Sequence, residues 1–290
     1  SLHYIGQKAS KVLEDSRAMV ASLINARPEE IIFTSSGTES DNLAIKGVAY
    51  KNKKKGNHII TSAIEHHAVL EPCKRLEKEG YEITYLPVDR TGLINLNELE
   101  NAITDKTILI SIMFANNEIG TIEPIKEIGE IAKSHDVFFH TDAVQAFAKI
   151  PLDVQEMNID LLSASSHKIY GPKGVGMLYI RDGGKGKKGG KYIEPLMEGG
   201  GHENKMRPST ENVPGIAGFA KAVEIAKNEL HIEAERLTKL RDKIINTITT
   251  NIEHCYLNGH RTKRLPNNVN LGFSFIEGES ILLSLDAEYI

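Results

Sequence analysis

The 290-residue chain reads as an α/β protein, a mainly parallel seven-stranded sheet with helices on both faces plus a smaller C-terminal α/β domain. Three observations predict this. Short apolar runs rich in isoleucine, valine and phenylalanine alternate with longer amphipathic stretches, the pattern of strands crossing over through helices into a parallel sheet. The polar clusters follow the strands, where such sheets place their ligands. After Pro214 the alternation gives way to sustained helical spacing.

Taken in order, Ile31-Ile32-Phe33 marks a strand at 30–34, and Leu43, Ala44 and Val48 follow it at helical spacing within 39–51. Further strands are expected at 58–61, 82–86, 107–113, 137–141, 160–164 and 175–180, with helices at 67–79, 97–103 and 124–134 between them. Beyond Pro214, Ile216, Phe219, Val223, Ala226 and Leu230, then Leu237, Leu240, Ile244 and Ile248, recur as on helices bridging two domains. The expected division is 1–228 for a large domain and 229–290 for a small one. The glycine- and lysine-rich stretch 182–191 reads as a surface loop.

Composition narrows the function. Forty per cent apolar and 26% charged residues are ordinary for a globular protein, and a net charge of -4 gives no electrostatic case for nucleic acid or an anionic membrane. The longest apolar run, 108–115, is far below the roughly 20 residues of a membrane helix. The amino terminus has neither a secretion signal nor an initiating methionine. Two cysteines, Cys73 and Cys255, make no disulfide framework, so a reducing, cytoplasmic compartment is expected.

Five polar clusters carry the chemistry. Thr34-Ser35-Ser36-Gly37-Thr38 opens a helix, where unpaired amides and a glycine suit a phosphate; Ser36 or Thr38 would also be an ordinary helix cap. Glu65-His66-His67 follows a strand. A histidine there can stack on a flat cofactor and move protons, whereas adjacent histidines do not share a helix face, so no metal site is expected. Asn116-Asn117-Glu118 offers side-chain amides to a ring or a substrate, or simply forms a turn. Asp142 ends a buried strand and needs either a cationic partner, such as a protonated pyridine nitrogen, or a capping role; Gln145 is near enough in sequence to reach the same ring's phenolic oxygen. Lys168, in Ser165-Ser166-His167-Lys168, sits at a strand-to-turn break where a neutral amine can form an imine with an aldehyde cofactor.

Together with Gly199-Gly200-Gly201-His202-Glu203 and the run to Asn212, these motifs resemble the cysteine desulfurases of the class V aminotransferase group, fold-type I pyridoxal phosphate enzymes. The resemblance is to the iron-sulfur cluster assembly and nitrogen-fixation type and covers nearly the whole chain. It implies pyridoxal 5'-phosphate as cofactor and L-cysteine as substrate, with sulfur passed on as a persulfide for iron-sulfur clusters or thiolated RNA and alanine released. It also implies a homodimer with a scaffold or sulfur-acceptor partner. By resemblance, Lys168 carries the imine, with Ser165 and His167 beside it at the phosphate that Gly37 and Thr38 hold. Asp142 binds the pyridinium, Gln145 the phenolic oxygen, His66 stacks and transfers protons, Asn117 lies near ring and substrate, and Thr210 reaches the neighbouring subunit's phosphate.

The family's nucleophilic cysteine and substrate-binding arginine are not among these residues, and both present cysteines read as packing residues. The chain therefore reads as the interior of a longer protein. An aminotransferase, a selenocysteine lyase or a non-catalytic scaffold of the same fold are the alternatives.

Overall fold

The computed structural model describes residues 3–184 and 191–290. Seven strands form one sheet: β1 (Ile31–Thr34), β2 (His58–Ser62), β3 (Glu82–Leu86), β4 (Thr107–Ser111), β5 (Phe138–Asp142), β6 (Leu161–Ser165) and β7 (Gly176–Ile180). Their order is β1-β7-β6-β5-β4-β2-β3, with β7 antiparallel to both its neighbours and the other pairs parallel. Because β7 opposes both β1 and β6, β1 runs parallel to β6. The carboxyl ends of β1, β2, β4, β5 and β6 therefore open at one edge of the sheet.

Each face buries alternate side chains, as a pleated strand requires. Ile31, Phe33, Ile60, Ile110, Leu162, Met177 and Tyr179 point to one face. There they meet helices α1 (Tyr4–Leu23), α4 (Leu96–Ala102), α5 (Ile125–Ser134) and the start of α6 (Val213–Asn251). Ile32, Ile59, Leu178 and Ile180 point to the other, against α2 (Gly37–Asn52) and α3 (His67–Lys78). At roughly 1.5–3 kcal/mol for each fully buried aliphatic or phenyl side chain, this two-sided burial is the main force holding the sheet.

Strands and intervening helices fall within two residues of their expected positions. The amino-terminal helix α1 has no counterpart in the sequence reading. Its core-facing stripe, Leu13, Arg17, Val20 and Ala21, is interrupted by a guanidinium. Arg17 is buried because Glu203 receives two of its N–H groups at 2.8 Å, while Ile31 O accepts a third hydrogen bond at 2.7 Å. Glu203 also accepts from Phe33 N at 2.8 Å, so the pair pins the segment 203–212 to β1.

Past Pro214 there is one 39-residue helix, α6, which runs without interruption through position 228. It leads to a two-stranded antiparallel sheet, β8 (Cys255–Leu257) with β9 (Leu271–Phe273), and to helix α7 (Gly278–Ala287). Of the loop expected at 182–191, residues 185–190 lie outside the described residues. No helix among the described residues is long and apolar enough to cross a membrane.

Candidate active site

At the carboxyl edge of the sheet, turns from five strands enclose a cavity of about 230 Å³. Gly37, Thr38, His66, Asn117, Asp142, Gln145, Ser165, His167 and Lys168 all line it. Thr210 does not. It is exposed in a separate recess beside Ser35, Glu203 and Arg207, on the segment that Arg17 and Glu203 pin down.

Each turn has a local cause. Ser36 caps α2, its hydroxyl accepting from Glu39 N at 3.2 Å, which leaves the first-turn amides of Gly37 and Thr38 without intrahelical acceptors. Capping and an anion site thus coexist here. Gly37 is required for packing: a Cβ on it would lie 2.6 Å from Val144 Cγ2, in the turn after β5. His66 caps α3, and its Nδ1 accepts from Ala68 N at 3.1 Å. In the neutral ring that places the proton on Nε2.

Asn116 makes the turn at 116–119, its Oδ1 accepting from Glu118 N and Ile119 N at 2.9 Å, while Asn117 lines the cavity. Asp142 Oδ1 accepts from Val144 N at 2.9 Å, the capping geometry, and this is the only hydrogen bond its carboxylate makes among the described residues. Gln145 Oε1 accepts from Lys149 Nζ at 2.9 Å, so the amide's N–H groups are its free end. Ser165 Oγ and His167 Nδ1 lie 3.0 Å apart. Lys168 follows on an exposed 3-10 turn, Ser166–Ile169.

Electrostatically the floor is dry and acidic. Burial raises the Asp142 carboxyl above its ordinary range, opposed by the Val144 N–H and by the charges of His66 and Lys168. Burial also pushes Glu65, beside His66, up to about 8 and Glu123 up to about 7, and it drives His140 down to about 3. Lys149 is lowered to about 8 by burial and by Lys168. Cys73 is fully enclosed between α3 and the sheet and pushed up to about 12, a packing residue and no nucleophile.

Comparison with known proteins decides the relationship. The class-V aminotransferase family matches residues 1–290. The chain belongs to that family. Within it, the class-V chain is 57% identical over 288 residues to a cysteine desulfurase IscS of Dictyoglomus turgidum, covering 99% of this chain and 71% of the relative. It is 56% identical to the cysteine desulfurase IscS of Methanosarcina thermophila, covering 100% and 70%. Among solved structures, a NifS-like protein superposes with a TM-score of 0.93 at 40% identity, covering all of this chain and 78% of that one. The structure of SspA in complex with cysteine gives 0.82 at 39%, covering 99% and 78%.

Class-V enzymes use pyridoxal phosphate, and the class-V cavity found here fits it on its own evidence. A buried carboxylate with one oxygen unclaimed, two free amides at a helix start and a lysine, all bordering one cavity, match the cofactor's ring nitrogen, phosphate and aldehyde. Asp41 and Ser36 also line the cavity, and sequence reasoning missed both as site residues. For Asp41 the available signal was its place four residues after Gly37, one turn along the same helix face.

The cofactor-free protein should lose stability as pH rises from about 6.5 to about 8. In the folded state Glu65 and Glu123, pushed up to about 8 and about 7, hold protons that the unfolded chain releases near its ordinary carboxylate values, and burial displaces Asp41 in the same direction. A raised folded value gives stability that is full below the unfolded value and lost as pH climbs through the folded one, about 1.4 kcal/mol per pH unit for each acid still protonated. His140 acts oppositely but only below its ordinary 6.5. Thermal unfolding midpoints measured across this window check the sign; a rising midpoint contradicts it.

Proposed function

We infer that this protein is a pyridoxal-phosphate-dependent cysteine desulfurase, converting L-cysteine to alanine and delivering the sulfur to iron-sulfur cluster or thiolated-RNA biosynthesis. The observation that carries it is the convergence of Asp142, His66, Gln145 and Lys168 from three strand ends into one cavity, in a family whose similar members bear that name.

In this reading Lys168 Nζ is the covalent anchor and, once displaced by substrate, the base that takes the proton from the substrate's α-carbon. The bound cofactor supplies an aldehyde for condensation with amines and a protonated ring that draws electrons from that carbon. Asp142 keeps the ring nitrogen protonated through its unclaimed oxygen, since an opposite charge at contact commonly moves a pKa by about 1–3 units. Gly37 and Thr38 amides, with Ser165 and His167, hold the phosphate; Gln145 donates an N–H to the phenolic oxygen; Asn117 borders ring and substrate. His66 stacks on the ring, and its Nε2 proton is available to the substrate.

The division at 228/229 belongs to the same reading, supported by the seven-stranded sheet lying wholly before it and β8–β9 wholly after. So do a homodimer, in which the exposed Thr210 completes the partner's phosphate site, a sulfur-acceptor partner, and a cytoplasmic location. Incubating the full-length protein with L-cysteine and a thiol reductant, which takes the sulfur from the enzyme persulfide and leaves it as sulfide, and measuring sulfide together with alanine tests the activity. Equal yields are expected; amino transfer to a keto acid with no sulfur released overturns the assignment.

A further inference from the structure

Asp41 sits on α2 over strand β5, 1% exposed, and lines the cofactor cavity; its Oδ1 has no hydrogen-bond partner. The ionisable groups acting on it are Asp142, two residues from His140 on β5 and so on the same strand face, and Glu65 from the turn after β2. His140 Nε2 lies 3.5 Å from Asp41 Oδ1 and 3.1 Å from Ser163 Oγ, and its Nδ1 lies 2.8 Å from Ser111 Oγ. His140 is wholly enclosed and its imidazole is pushed down to about 3, so among the described residues no cation faces Asp41; Lys168 and His66 act on Asp142 instead.

We propose that Asp41 is a second carboxyl of the cofactor site that is held uncharged, a positioning residue that supports Asp142 and leaves it the sole anion at the cavity floor. This rests on the reading of the cavity as a pyridoxal phosphate site. Two ionised carboxylates in one dry pocket repel, and neither is stable without its own cation. A ring nitrogen brings one positive charge, enough for one of them. Asp142 reaches the open cavity and keeps a backbone N–H donor, whereas Asp41 Oδ1 has no partner among the described residues and only a neutral hydroxyl, that of Ser163, favours its charged form. Burial and the neighbouring Asp142 and Glu65 accordingly push the Asp41 carboxyl well above the carboxylate range against the opposing hydrogen bond from Ser163.

The charge state is read by infrared spectroscopy on the cofactor-free protein near neutral pH. Subtracting the spectrum of Asp41→Asn from that of the parent should leave the carbonyl band of a protonated carboxyl; an ionised-carboxylate band in its place overturns the proposal. Pyridoxal phosphate titrations of the same proteins read the positioning. Asp41→Ala should bind about tenfold more weakly, and Asp41→Asn, neutral and of the same shape, should restore affinity to within about twofold. Asp41→Asn as weak as Asp142→Asn, or Asp41→Ala equal to the parent, overturns it. If the parent takes up no pyridoxal phosphate, the reading of the cavity fails, while the infrared difference still decides the charge on Asp41.

Discussion

Lys168→Ala should fold normally and hold its cofactor without a covalent bond. Borohydride reduction of the parent should leave a mass increment on the peptide containing Lys168, and the same treatment of the variant should leave none anywhere in the chain. Turnover of L-cysteine should fall at least about 10³-fold, because the substitution removes the anchoring amine and the base together. The fold is spared for a local reason. Lys168 is exposed on its 3-10 turn and its side chain makes no hydrogen bond among the described residues, whereas its neighbours Ser166 and Ile169 are the buried residues of that turn. A reducible adduct that survives in Lys168→Ala places the anchor on another lysine, with Lys149, lowered to about 8 and lining the groove behind Lys168, the first to examine.

Asp142→Asn separates chemistry from stability in the opposite sense to most buried substitutions. Turnover should drop by about 10²–10³-fold, the usual cost of deleting one preorganised electrostatic contact to a charge that matters in the transition state. The cofactor-free variant should be at least as stable as the parent above neutral pH. There the folded protein spends free energy to keep a desolvated carboxyl that the unfolded chain ionises freely, and the amide needs no such compensation. Kinetics with L-cysteine and thermal melts of both cofactor-free proteins check the two halves. An unchanged turnover rate rejects the role given to Asp142.

Much of the fold was legible because the sheet is buried on both faces. Runs such as Ile31-Ile32-Phe33 and Ile108-Leu109-Ile110 are apolar throughout, and polar residues follow them abruptly. The same contrast exposed the site, since Asp142 ends β5 and His66 and Lys168 follow β2 and β6 within four residues. Helix α1 escaped because the centre of its buried stripe is Arg17, whose partner Glu203 lies 186 residues away, and no local window contains both. Asp41 escaped for a related reason: between Ser40 and Asn42 a carboxylate reads as a solvated helix face, and only packing of α2 onto β5 encloses it. Thr210 was placed by resemblance alone, and its own surroundings give no local sign of a ligand.

Helix α6 has a mechanical consequence. At about 1.5 Å per residue, its 39 residues make a rod about 58 Å long. It is gripped near its start by Ile216, Phe219 and Val223, and again near its end by Arg241 and Ile245, with a weakly enclosed shaft between. Such a rod acts as a lever: a tilt of about 5° at the gripped root swings the far end by roughly 5 Å at that length. The carboxyl-terminal elements riding on it are therefore aimed by a handful of side chains lodged against the sheet together with the backbone bonds that join Ile122 to Lys263 and Gly120 to Leu265.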